Sequence, residues 1–182
     1  MSKNVLFIQG AGDVGYEGDV LLAASLRKAL GTGYTVHYPA MPTDETPHFG
    51  WQWPKQIGKE ISMVEGAIIL SGHSLGASML LKYLSENKIQ KEITGIFLIA
   101  APYWSGNEDW KQGLKLQEDF SDKLSKDIPI FFYQCKDDDV VPFEHLNFYK
   151  QNIPWAVFRE LSHGGHQLDN DLTPVANDIK SL

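Results

Sequence analysis

The runs Ala67–Ser71 and Gly95–Ala100, within AIILSG and GIFLIAA, are apolar at nearly every position. A strand with water on one side alternates polar and apolar residues, so continuous runs of this kind belong to a sheet covered on both faces. Four further apolar or β-branched runs accompany them: Val5–Gln9, Tyr34–Tyr38, Ile130–Cys135 and Trp155–Leu161. Helix-like segments fill the intervals and the end, at Gly18–Leu30, Trp51–Val64, Ser74–Asn87, Lys115–Lys126, Phe143–Gln151 and Thr173–Leu182. Helical segments of about 10–15 residues between short strands predict repeated βα units and a parallel sheet. Leu22, Leu26 and Leu30 share one helical face, closed by Gly31 as a C-cap, and Pro142 suits the first position of a helix. Ala101–Leu114, with Tyr103, Trp104 and Trp110, is the longest stretch without a clear element. The pattern predicts one domain, residues 1–182.

Net charge narrows the partners. With 16 Lys and Arg against 23 Asp and Glu, the chain carries −7 and its basic residues are scattered. Nucleic acid and anionic membrane surfaces need a concentrated positive field, so neither is expected as a partner. Cys135 is the single cysteine, which leaves no disulfide framework and no Cys-rich zinc pattern. The apolar part of MSKNVLFIQG is shorter than a signal-peptide core, and no window approaches the roughly 18 apolar residues of a membrane span. A cytoplasmic protein is the expectation.

LSGHSLGAS carries the chemistry. Gly72-His73-Ser74-Leu75-Gly76 matches G-x-S-x-G, after an apolar strand and at the opening of the helix-like LGASMLLKYLSEN. That strand–turn–helix context is what a nucleophile elbow requires, with Ser74 lifted above the sheet and flanking glycines allowing close packing. A hydroxyl is a poor nucleophile at neutral pH and needs a base, which in turn needs an orienting partner. Candidates follow in chain order. KDDDVVP, after Ile130–Cys135, offers Asp137, Asp138 and Asp139, and SHGGHQLDND, after Trp155–Leu161, offers His163 and His166. His166 sits behind two glycines, which give a loop room to bring an imidazole over the sheet.

Ser74 in GHSLG, an Asp shortly before Val141-Pro142 and a late GGH together resemble the α/β-hydrolase superfamily over essentially the whole chain. The length is similar to small cap-less serine hydrolases of the retinoblastoma-binding-protein type. The resemblance implies an α/β fold in its minimal form: a three-layer α/β/α sandwich with a six-stranded parallel sheet in the order 2-1-3-4-5-6. It also implies an acid four residues before the proline, Asp138, with His166 as base. The sequence departs from the superfamily after the first strand, where the common His-Gly is Gln9-Gly10.

The resemblance also reinterprets Gly10, Gly12 and Gly15, whose G-x-G-x-x-G spacing matches a dinucleotide fingerprint. That fingerprint also wants an acidic residue at the end of the second strand, but VHYPAMP has none before Asp44, and GYEGD delays the helix. In the hydrolase architecture the same loop supplies one oxyanion-hole N–H and the residue after the nucleophile the other. By position these are Ala11 and Leu75. Trp51, Trp53, Tyr103 and Trp104 are candidates to wall an acyl pocket, with ordinary packing the alternative for each. His73 reads as a packed residue, and Cys135 as a small apolar residue closing a strand. A metal site from Asp137–Asp139 with the two histidines would leave Ser74 unexplained.

The implied activity is that of a carboxylesterase-like serine hydrolase, acting on a small acyl substrate (ester, amide or thioester) through an acyl-enzyme on Ser74. No metal and no organic cofactor are expected. An acyltransferase with the same triad and a non-catalytic binding module on a hydrolase fold are the alternatives.

Overall fold

The computed structural model describes residues 2–12, 15–43, 49–104 and 113–182. Six strands appear, β1 (Lys3–Ile8), β2 (Tyr34–His37), β3 (Ile68–His73), β4 (Ile93–Ile99), β5 (Ile130–Cys135) and β6 (Val157–Leu161). They form one sheet in the order β2-β1-β3-β4-β5-β6. Every adjacent pair is parallel. This is the order the family resemblance implies.

The helices are α1 (Gly15–Gly18), α2 (Val20–Leu30), α3 (Phe49–Met63), α4 (Leu75–Glu86), α5 (Glu144–Asn152) and α6 (Thr173–Lys180). Strand side chains alternate between the two faces, which divides the core in two. Val5 and Phe7 of β1 join Leu22 and Leu26 of α2 and Val175 and Ile179 of α6. Leu6 and Ile8 point the other way and join Ile57 of α3, Leu80 of α4 and Leu146 of α5. The result is the three-layer sandwich, and β3 at its centre is buried along its whole length.

One expected helix is replaced. Lys115–Lys126 holds only a short 3₁₀ turn, Phe120–Lys123. Leu116, Phe120 and Leu124 have helical spacing and all are buried. The backbone reaches that burial through successive tight turns, Phe120 N–H donating to the Gln117 carbonyl and Asp122 N–H to that of Asp119. Tertiary packing has overridden a local preference worth only tenths of a kcal/mol per residue. A smaller shift occurs at α5, which starts at Glu144 rather than directly at Pro142, whose carbonyl accepts the His145 N–H.

From β1 the chain moves to β2 on one side and then returns to β3 on the other. The sheet therefore has its topological switch between β1 and β3, where open α/β sheets form their crevices. Among the described residues, no helix is long and apolar enough to cross a membrane.

Candidate active site

Between the end of β3 at His73 and the start of α4 at Leu75, the turn consists of Ser74 alone. Its φ of 51° and ψ of −123° put an L-residue in the left-handed half of the map, a strained conformation of the kind that clusters at functional sites. Its N–H is tied to the Ile99 carbonyl at 2.8 Å. The flanking glycines are demanded by packing: a Cβ on Gly76 would lie 2.3 Å from the Gln9 carbonyl oxygen, and one on Gly72 2.8 Å from the Ala77 nitrogen. Leu75 opens α4, where N–H groups lack intrahelical acceptors and the dipole favours negative charge.

The loop after β1 lies directly against this elbow. A Cβ built on Gly10 would stand 3.1 Å from the Ser74 Cβ. Gln9, where the resemblance leads one to expect histidine, is buried. Its Oε1 accepts the Met41 N–H at 3.2 Å, and its Nε2 donates to the Gly10 carbonyl at 3.3 Å. It braces the loop from the β2 side. Ala11 follows Gly10 and is exposed. After Gly15 the chain makes the single turn of α1 before α2 begins, so the glycines do not open a long helix as a dinucleotide turn does. Asp44 lies outside the described residues.

The three aspartates diverge. Asp138 is buried and fully partnered. Its Oδ1 accepts the N–H groups of Val140 and Val141 at 2.9 and 2.8 Å. Its Oδ2 accepts from Gln134 Nε2 at 2.8 Å and from His166 Nδ1 at 2.9 Å. Asp137 instead holds the Gly164 and Gly165 N–H groups at 3.2 and 3.0 Å, and Asp139 is exposed. Both glycines have positive φ, 127° and 59°, which swings the loop so that the next residue, His166, reaches Asp138. The His163 side chain is 80% exposed and lies 3.7 Å from Asp169. The structure thus pairs His166, not His163, with Asp138.

Burial alone would raise the Asp138 carboxyl, but the His166 hydrogen bond, the two backbone donors and the histidine charge hold it below the ordinary carboxylate range. A folded-state pKa below the unfolded one means stability that is present above the unfolded pKa, about 3.9, and is lost as pH falls through the folded value. Urea unfolding midpoints are therefore expected to fall as the medium is acidified from about pH 5 to pH 3, and less steeply in Asp138→Asn than in the parent. Equal slopes would show that this carboxylate contributes nothing to acid sensitivity.

The aromatic candidates separate. Trp51 is 59% exposed, with the Lys82 ammonium over its ring. Trp53 is the buried one, its Nε1 donating to the Pro42 carbonyl. It lines a cavity of about 610 Å³ together with Gln9, Ala11, Tyr16, Met41 and Thr43. Tyr103 packs on Phe148 and Tyr149, with its N–H on His145 Nδ1. Trp104 donates to Ser78 Oγ, one turn of α4 beyond the elbow. Trp110 and most of Ala101–Leu114 lie outside the described residues. Among the described residues no cluster of three His, Cys, Asp or Glu side chains could hold a metal ion. Burial and nearby carboxylates push the Cys135 thiol up to about 11, which leaves it un-ionised at neutral pH.

Asp19 and Gln134 hold the site's loops without having been signalled by sequence, and Gln9 was marked only as a departure from the superfamily pattern. Each acts through a partner distant in the chain or through an unremarkable residue type, and no motif marks such pairings. His73 is packed as expected, and its partners are described below.

Residues 27–173 match the serine hydrolase family. YdeN of Bacillus subtilis (strain 168), a protein named as a hydrolase, is 28% identical over 118 residues, 60% of this chain and 60% of YdeN. The match thus spans less than two thirds of that relative. The crystal structure of the B. subtilis ydeN gene product aligns with a TM-score of 0.74 at 22% identity, covering 99% of this chain and 98% of that one. The CarC enzyme, a serine hydrolase involved in carbazole degradation, aligns at 0.76 with 16% identity, over 99% and 90% of the two chains. The Pyrococcus furiosus esterase Pf2001 aligns at 0.71 with 14% identity, over 98% and 81%. At such identities the structural likeness establishes the fold. The family follows from the sequence match, which spans most of the chain: the protein belongs to the serine hydrolase family.

Proposed function

We propose that the protein hydrolyses small carboxylic esters through an acyl-enzyme on Ser74. The observation that carries this reading is the left-handed backbone of Ser74 at the turn into α4, with the Gly10 main chain against its side chain. Strain of this kind persists only where the surroundings impose it. Asp138 accepts from His166 Nδ1, so His166 Nε2 is left as the proton acceptor. Ser74 Oγ attacks the carbonyl carbon as His166 takes its proton, and the N–H groups of Ala11 and Leu75 hold the oxyanion. His166 then returns the proton to the leaving alcohol. In the second half, His166 deprotonates water, which attacks the acyl carbon, and His166 then returns that proton to Ser74 Oγ as the bond to the acyl carbon breaks and the acid leaves.

A short acyl group fits this site best. The cavity beside Ala11 mixes the polar Gln9, Tyr16, Glu17 and Thr43 with the apolar Ala40, Met41, Pro42 and Trp53. Each buried CH₂ contributes about 0.8 kcal/mol only where an apolar wall receives it. With p-nitrophenyl esters, kcat/KM is expected to be at least about tenfold higher for acetate or butyrate than for laurate, a difference of about 1.4 kcal/mol. A steady rise with chain length would refute the short-acyl reading.

A further inference from the structure

Asp19 directly precedes α2, where an aspartate ordinarily caps the helix, yet its side chain makes no cap hydrogen bond. It turns inward and is 2% exposed. Its Oδ2 accepts the Gly10 N–H at 2.7 Å and faces His73 Nδ1 at 2.8 Å. Its Oδ1 accepts from Gln167 Nε2 at 3.2 Å. His73 is also buried, and its Nε2 donates to the main-chain carbonyl of His166 at 2.9 Å. The His73 and His166 rings stand 4.7 Å apart, centroid to centroid. A carboxylate and a carbonyl can only accept, so the His73 imidazole is placed to donate on both sides.

One buried carboxylate thus joins three loops that are far apart in sequence. Gly10 precedes Ala11 in the loop after β1, His73 precedes Ser74 in the elbow, and His166 and Gln167 belong to the loop after β6. Burial would raise the Asp19 carboxyl, but the hydrogen bond and charge of His73, with the Gly10 and Gln167 donors, hold it below the ordinary range. A buried carboxylate is strongly destabilising unless it is partnered, and here every described partner belongs to the machinery around Ser74.

We infer that Asp19 and His73 form a second carboxylate–imidazole pair, a positioning pair that fixes the Gly10–Ala11 backbone and the His166 backbone relative to Ser74. This rests on the reading of Ser74 as nucleophile and Ala11 as oxyanion donor. Neither side chain needs to touch substrate. Asp19 sets the direction of the peptide next to the oxyanion N–H, and His73 sets the height of the loop that presents the base. A misplacement of about 1 Å in such groups can cost about 10²-fold in rate.

The test compares Asp19→Ala and Asp19→Asn, using p-nitrophenyl acetate turnover and fluorophosphonate labelling. Asp19→Ala is expected to lose about 10²-fold in kcat with KM within about threefold, and labelling should slow in step. Asp19→Asn should recover much of that loss. Its amide oxygen can keep the Gly10 and His73 contacts, and the Gln167 side chain can turn its Oε1 to accept from the new amide. That Oε1 is buried without a hydrogen-bond partner among the described residues. A purely structural role lowers the melting temperature and leaves kcat of the folded fraction at the parent value, so a folded Asp19→Ala within about twofold of the parent overturns the proposal. In the parent, the Gly10 amide should exchange with deuterium far more slowly than exposed loop amides. Fast exchange there overturns the proposal whether or not the variants fold. A parent that is not labelled at Ser74 sinks the esterase reading itself, whereas labelling of Asp19→Ala at the parent rate sinks the positioning pair alone.

Discussion

Ser74→Ala is expected to abolish ester hydrolysis, with a loss of about 10⁶ in kcat, the scale seen when the nucleophile of a serine triad is removed. What remains is what the oxyanion donors and substrate binding supply over water, about 10³–10⁴. Neighbouring hydroxyls cannot substitute. Ser71 is fully buried inside β3, and Ser78 Oγ donates to the Leu75 carbonyl while accepting from Trp104. The substitution keeps the Cβ against which Gly10 packs, so the elbow should fold with its neighbours unmoved. A fluorophosphonate should add one adduct to the parent, at Ser74, and none to the variant. Labelling that persists in Ser74→Ala would end the acyl-enzyme mechanism.

The elbow could be read from sequence because its constraints are local. Gly72 and Gly76 sit where any side chain would collide with backbone, so the chemistry of the turn is written in two residue types at a fixed spacing. The sheet was legible for a similar reason: β3 and β4 are covered on both faces, and their apolar runs say so. The loop after β1 shows where a local pattern misleads. Its G-x-G-x-x-G matches a dinucleotide turn letter for letter; the missing acid after β2 and the delayed helix argue against that reading, and the structure puts Gly10 against Ser74 instead. The helix-like segment 115–126 fails because burial of Leu116, Phe120 and Leu124 does not require a helix. Trp51 and Trp53 are two residues apart on α3, so they face different ways, and the spacing alone does not say which faces inward. Asp19 was beyond reach. Its partners lie 9, 54 and 148 residues away, and an aspartate before an apolar helix reads as a cap.

Asp138→Asn should cost about 10⁴ in kcat, and the hydrogen bonds around the carboxylate say why. Oδ1 receives the Val140 and Val141 N–H groups, so the amide oxygen of an asparagine must occupy that position. Its NH₂ then takes the place of Oδ2, facing two donors, Gln134 Nε2 and His166 Nδ1–H, and leaves His166 only its longer contact, 3.2 Å, to the amide oxygen at Oδ1. Gln134 is held in turn by the Val141 carbonyl, to which its Nε2 also donates, so it does not readily turn over. The clash is relieved when His166 moves its proton from Nδ1 to Nε2, and that tautomer has no lone pair with which to accept the Ser74 proton. Asp137 and Asp139 predict the contrast. Asp137 is exposed and accepts from Gly164 and Gly165 with separate oxygens, so an asparagine keeps one of the two contacts and leaves His166 on Asp138. Asp139 is exposed. Asp137→Asn and Asp139→Asn are each expected within about tenfold, or 1.4 kcal/mol, of the parent kcat. A collapse at Asp137→Asn with Asp138→Asn near the parent would move the triad acid by one residue. Three variants near the parent rate would mean that His166 takes its orientation from elsewhere, the ties of its loop to His73 and to Asp19 being two such holds.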